Sequence, residues 1–128
     1  MSEIEFIGRI LEAADCLLLL DINNLYVTAF NHGYDAREFL TALPPERVGQ
    51  IHLAGHDDRD DHLVDAHGSP VAEPVWDLYA QAVELFPSVT TCIEWDRDVP
   101  PLEVLLAEAA RAHAIASPTT EGEQPLHA

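Results

Sequence analysis

Positive charge is the scarcest chemistry in this chain: six Lys and Arg stand against 23 Asp and Glu in 128 residues, a formal charge of −17. The basic residues are scattered, which excludes nucleic acid as a partner, because a phosphate backbone is held through clustered Lys and Arg. The same deficit disfavours anionic membrane surfaces. Long apolar runs are missing too: nothing approaches the ~20 residues of a membrane span. No signal-peptide pattern precedes the first helix, so the cytoplasm is the expected compartment. Cysteine is limited to Cys16 and Cys92. Both sit in strand-like apolar runs outside any CxxC or Cys/His spacing, so reduced, buried core thiols are expected, with no disulfide and no thiolate metal site. A Gly-rich phosphate loop, a serine nucleophile elbow and an HExxH helix are all absent, leaving hydrolysis by a side-chain nucleophile unsupported.

What the chain does have is histidine. Four of its seven lie between positions 52 and 67. His52-Leu53-Ala54-Gly55-His56 is followed by His62 and by Asp65-Ala66-His67, with Gly55 read as permitting the sharp turn that brings His56 back. Two acidic clusters end apolar runs: Leu17 to Leu20 closes on Asp21-Ile22-Asn23-Asn24, and Cys92-Ile93 closes on Glu94-Trp95-Asp96. Imidazole with carboxylate is a ligand set for iron, zinc or manganese. An unpaired carboxylate ending a buried strand is costly: a cation partner accounts for Asp21 better than turn chemistry does, and a buried Glu94 needs a cation or hydrogen-bond donors. His62 is balanced between a solvated loop and support of a ligand. His32 reads as part of a turn, Asp96 and Asp98 as solvated or capping acids, Trp76 and Trp95 as packing, and His113 and His127 as bystanders.

The length suits one modest domain with a real core, and 48% hydrophobic residues is ordinary for a globular protein. Ser2 and Glu5 form a capping box ahead of Ile4, Ile7, Ile10 and Leu11. Leu17–Leu20 reads as a strand buried on both faces. Asp35 caps a helix through Leu43 that Pro44-Pro45 stops, and Val48–Leu53 is a second strand. A long polar loop follows, then a helix from Pro74 to Phe86, a strand over Val89–Trp95 and a helix from Pro101. Residues 1–115 form one unit and 116–128 a disordered tail rich in Pro, Thr, Glu and Gly. The expected order is α-β-α-β-α-β-α, an α/β fold with parallel strands joined by right-handed crossovers. Polar residues crowd just after each strand, where (β/α) barrels and open α/β sheets place their sites. A full barrel needs eight strands and ~250 residues, so this order is a small open sheet or one segment of a barrel.

The segments LLLLDINNLYVTAFNHGYD, ALPPERVGQIHLAGH, DHLVDAHGSPVAEPVWDLY and CIEWDRDVPPLEVLLAEAARA closely resemble the multinuclear non-heme iron-dependent oxidative enzymes, once catalogued as domain of unknown function 692 (uncharacterised protein family 0276). The resemblance runs from about Ser2 to Ala112 and covers the C-terminal half of such an enzyme. It implies a TIM-barrel (β/α)8 scaffold of which this is a C-terminal half-barrel segment. It also implies two or three irons at the strand ends, fewer or none in this segment alone. Such enzymes use dioxygen to oxidise cysteine or other residues of ribosomally made precursor peptides, often presented by a partner protein. Carried over motif by motif, the implied metal ligands are Asp21, Asn24, His52, His56, Asp65, His67 and Glu94. A complementing N-terminal half is implied as a partner, and activity is expected only with it. Two other readings stay open on the residues: a non-enzymatic metal-binding or interaction remnant, and a zinc- or manganese-dependent hydrolase or isomerase of the xylose-isomerase-like barrel type.

Overall fold

The computed structural model describes residues 1–117. Three parallel strands carry the architecture: β1 (Leu18–Asp21), β2 (Val48–Leu53) and β5 (Thr90–Ile93), in the spatial order β1-β2-β5. Five helices accompany them: α1 (Glu3–Ala14), α2 (Ile22–His32), α3 (Ala36–Ala42), α4 (Glu73–Leu85) and α5 (Leu102–Ala116). A 3-10 turn at Pro45–Arg47 leads into β2, and a two-residue antiparallel pair, β3 (Asp57–Asp58) with β4 (Leu63–Val64), interrupts the loop after it. The expected α/β class and parallel pairing are present. A closed barrel is not formed by these residues.

Local signals explain most of the boundaries. At the head of α1 the Ser2 amide donates to Glu5 Oε2 at 2.8 Å and the Glu5 amide to Ser2 Oγ at 3.3 Å, the capping box expected there. Asp35 accepts from Arg37 N to open α3. Pro101 stands one place before α5 as its N-cap, and the helix runs on through Ala116, so Ala116 belongs to ordered helix rather than to a tail. Positions 118–128 of the expected tail, His127 among them, lie outside the described residues.

Helix α2 was not expected. Turn chemistry is the alternative to a cation partner at Asp21 and Asn24 because Asp and Asn favour turns, and no helix is expected after them, yet Asp21 accepts from the Asn24 amide at 2.9 Å and so caps a helix. Ile22, Leu25 and Ala29 then recur at helical spacing and are buried. The helix ends on Gly33, which takes the left-handed conformation at φ 72°. His32 is its last residue rather than part of a separate turn.

The core lies between one face of the sheet and the helices. Leu20, Ile51, Leu53, Val75, Trp76, Tyr79, Leu40 and Ile22 form its centre. Burial of such side chains, at about 25 cal/mol per Å² of apolar surface, is the main force holding the layers together. Tyr79 is buried with them and shares a 2.8 Å hydrogen bond with Thr91 Oγ1, tying α4 to β5.

The other face of the sheet is bare among the described residues, which corrects two expectations. Leu17 and Leu19 are 63% and 49% exposed, so the leucine run is buried on one face only. Cys92 is an exposed free thiol and Cys16 is only half-buried, so neither is a core cysteine. The reason is the two-residue period of a strand. In β5, Thr91 meets Tyr79 and Ile93 packs on the core, which turns Thr90 and Cys92 to the opposite side. In a closed barrel that side would be the packed interior.

Candidate metal centre

The sheet register brings the strand-end polar residues into line. Asp21 is the Cα partner of His52, and His52 is the partner of Cys92, two residues before Glu94. The Glu94 amide donates to Leu53 O at 2.8 Å, prolonging the ladder by one bond and placing its carboxylate beside His52. His52 Nδ1 lies 3.1 Å from Glu94 Oε2.

The loop after β4 supplies the rest. Asp65 receives three polar contacts: Asn23 Nδ2 donates to its Oδ1, Asn24 Nδ2 donates to its Oδ2 at 3.0 Å, and His67 Nε2 stands 2.8 Å from Oδ1. His67 has a left-handed backbone, φ 54°, uncommon for a residue with a side chain. Three bonds hold it there: its amide donates to Gly55 O, and its carbonyl accepts from the amides of Asp96 and Arg97. Its Nδ1 lies 2.9 Å from Asp96 Oδ2 and 3.7 Å from Glu94 Oε2.

All seven sequence-derived residues therefore fall in one connected network at the C-terminal ends of the strands. Asp21, Asp65 and His67 offer ligand atoms within 4.8 Å of one another, as do His67, Glu94 and Asp96. His52 joins through Glu94, Asn24 through Asp65, and His56 through Asn23, whose Oδ1 is 2.8 Å from His56 Nδ1. His56 itself lies outside both tight groups and packs on the Tyr26 ring at 5.4 Å. His62 is exposed and pairs with Asp61, and His113 is exposed on α5.

Asn23 and Asp96 carry parts that the residue pattern did not reveal. Asn23 sits between a cap and a ligand candidate and is fully buried; its burial depends on α2, a helix the residue pattern does not announce. Asp96, by its sequence setting a solvated or capping acid, is 58% exposed at its side chain, but it grips the His67 ring. A histidine at positive φ leaves no mark in sequence that would have pointed to its partner.

The electrostatics favour a cation. Among the described residues, no arginine side chain bonds to Asp21, Asp65, Glu94 or Asp96. Burial pushes the Asp21 carboxyl above its ordinary range, the bond from the Asn24 amide opposes this, and the nearby charge of Asp65 adds to the rise. Burial works against a charged His67, but its bond to Asp96 and the charges of Asp65, Glu94 and Asp21 outweigh it, so its net shift is upward. His56 moves the other way, because desolvation outweighs the acids around it.

One atom tests whether a metal fits. His67 Nε2 is buried and has no hydrogen-bond partner. It is 2.8 Å from Asp65 Oδ1 yet off the hydrogen-bonding axis, so the two atoms stand side by side. Two ligands at right angles on bonds of about 2.1 Å stand about 3 Å apart. With Nδ1 held by Asp96, the ring has the carboxylate–histidine arrangement that aims Nε2 at a metal. The donor set, imidazole and carboxylate without thiolate, suits iron, manganese or zinc.

Fold and site together define an α/β protein that gathers imidazoles and carboxylates at the ends of a parallel sheet. Residues 1–117 match the family described as RiPP precursor modification enzyme MbnB/TglH/ChrH, and the chain belongs to that family. A UPF0276 protein of Acaryochloris marina is 52% identical over 112 residues, covering 88% of this chain and 41% of the relative. A UPF0276 protein of Shewanella loihica is 45% identical over 128 residues, covering 99% of this chain and 45% of the relative. The chain thus spans less than half the length of these curated relatives. No helix among the described residues is long and apolar enough to cross a membrane.

Proposed function

We propose that this chain carries the carboxylate–imidazole part of an iron centre that oxidises residues, cysteine among them, of ribosomally made precursor peptides. The observation that carries this reading is the buried, unpartnered Nε2 of His67 beside Asp65 Oδ1. Membership of a precursor-modifying family supports the peptide substrate. The proposed ligands are Asp21, Asn24, His52, His56, Asp65, His67 and Glu94, with Asp96 orienting His67.

Iron bound there would supply the open coordination positions at which a substrate thiolate and dioxygen meet. The chain's own residues do the rest. Asp96 holds the proton of His67 on Nδ1, leaving Nε2 free to ligate. Asp21, Asp65 and Glu94 contribute negative charge that offsets the charge of the cation. Asn24 steadies Asp65 through a 3.0 Å bond and keeps its second oxygen from rotating away. The bare sheet face bearing Leu19, Gln50 and Cys92 is the natural seat for an N-terminal half that completes both barrel and site. A peptide-presenting protein would deliver the substrate.

The test is iron analysis of the anaerobically purified chain beside a variant carrying Asp65→Ala and His67→Ala, followed by oxygen uptake with a cysteine-bearing precursor peptide. The expected result is iron on the folded chain, lost in the variant, and oxygen uptake only when the N-terminal half of a relative is added. A folded chain that refuses ferrous iron overturns the metal reading. Uptake by the chain alone overturns the need for a complement.

A further inference from the structure

Asn23 is the one buried polar or charged side chain of the core among the described residues, at 0% exposure. Its amide is committed on every side. Nδ2 donates to Gly55 O at 3.2 Å and to Asp65 Oδ1, two groups that can only accept from it. That settles which end of the amide is nitrogen. Oδ1, which can only accept, is then 2.8 Å from His56 Nδ1, so this ring nitrogen must carry a proton.

A neutral imidazole has one proton to place. With it on Nδ1, the lone pair of His56 is on Nε2, the nitrogen with no protein partner among the described residues. Neutral histidine in water favours the opposite tautomer, so the fold is imposing this one. The same amide grips Asp65 from the side opposite Asn24, which leaves that carboxylate no freedom to swing away from His67.

We propose that Asn23 is the positioning residue of this centre. It fixes His56 as the Nδ1–H tautomer with Nε2 as its ligating or accepting atom, and it clamps Asp65 beside His67. The part concerning Asp65 rests on the metal reading above; the part concerning His56 does not. An isolated structural role would leave Asn23 important for stability alone, whereas this role also sets a tautomer on a neighbouring ring.

The experiment is a long-range proton–nitrogen correlation spectrum of the full chain, labelled on histidine nitrogens, metal-free and at mildly alkaline pH. Wild type is expected to show His56 protonated on Nδ1. Asn23→Ala is expected to shift His56 to mainly Nε2–H and to weaken ferrous-ion binding about tenfold or more, the usual effect of losing a partner that orients a ligand. Wild-type His56 protonated on Nε2 overturns the proposal whether or not any variant folds. A folded Asn23→Ala that keeps the Nδ1–H tautomer overturns it equally. If the wild-type tautomer is as expected but ferrous ion does not bind, the metal reading fails while the hold on His56 stands.

Discussion

Gly55 lies where a single methyl group should damage both stability and site. It is not needed for a left-handed backbone, because Gly33 is the only glycine with positive φ among those described. Space is the reason. A Cβ on Gly55 would stand 2.1 Å from the Ser69 carbonyl oxygen and 2.4 Å from its hydroxyl, more than an ångström inside ordinary contact. The neighbouring atom is backbone, so it cannot step aside by changing rotamer. The Gly55 carbonyl also accepts from the His67 amide at 3.0 Å and from Asn23 at 3.2 Å. Pushing the 65–69 loop outward therefore strains packing, at about 1–3 kcal/mol, and weakens two buried hydrogen bonds, at about 1 kcal/mol each. Gly55→Ala is expected to destabilise the metal-free chain by about 3–5 kcal/mol in urea unfolding. Ferrous-ion affinity should fall as well, because Asp65 and His67 ride on the displaced loop. Gly8→Ala is the control: nothing lies within 4 Å of its added Cβ, in the middle of α1, and it should gain about 0.5–1 kcal/mol. A Gly55→Ala protein within about 0.5 kcal/mol of wild type, with unchanged affinity, would refute the reasoning.

Further outcomes follow from the same geometry. Asp96→Asn removes the charged partner of His67 Nδ1, and is expected to lower that ring's pKa by NMR titration and to weaken ferrous-ion binding about tenfold. In the metal-free chain His67 should titrate above its ordinary 6.5 and His56 below it. The raised His67 adds stability that is full below 6.5 and fades as pH rises through its folded value. The lowered His56 adds stability that is full above 6.5 and is lost as pH falls through its folded value. Unfolding of His67→Gln and His56→Gln variants across that range should separate the two slopes. Tyr79→Phe deletes a part-buried 2.8 Å bond to Thr91 and should cost about 1 kcal/mol in thermal unfolding without altering metal affinity.

The sequence by itself determined the alternation of helices with apolar strands, and hence a parallel sheet. It also placed the candidate ligands at or after the C-terminal ends of strands, because hydrophobic period and polar punctuation are local properties of the chain. The capping box at Ser2 and the bounds of β2 were legible for the same reason. Helix α2 was hidden because capping and turn formation draw on the same residues, and only packing of Ile22, Leu25 and Ala29 against the core decides between them. The exposure of Leu19 and Cys92 was equally out of reach: an apolar run implies a covering layer but does not say whether this segment of chain supplies it. Tertiary structure alone set which candidate ligand touches which, for that depends on the register of β1, β2 and β5 and on a loop held to Gly55 by hydrogen bonds. It was also the fold that made Asn23 a buried clamp and Asp96 the partner of His67, since both roles arise between residues more than twenty-five positions apart, where no local pattern can join them.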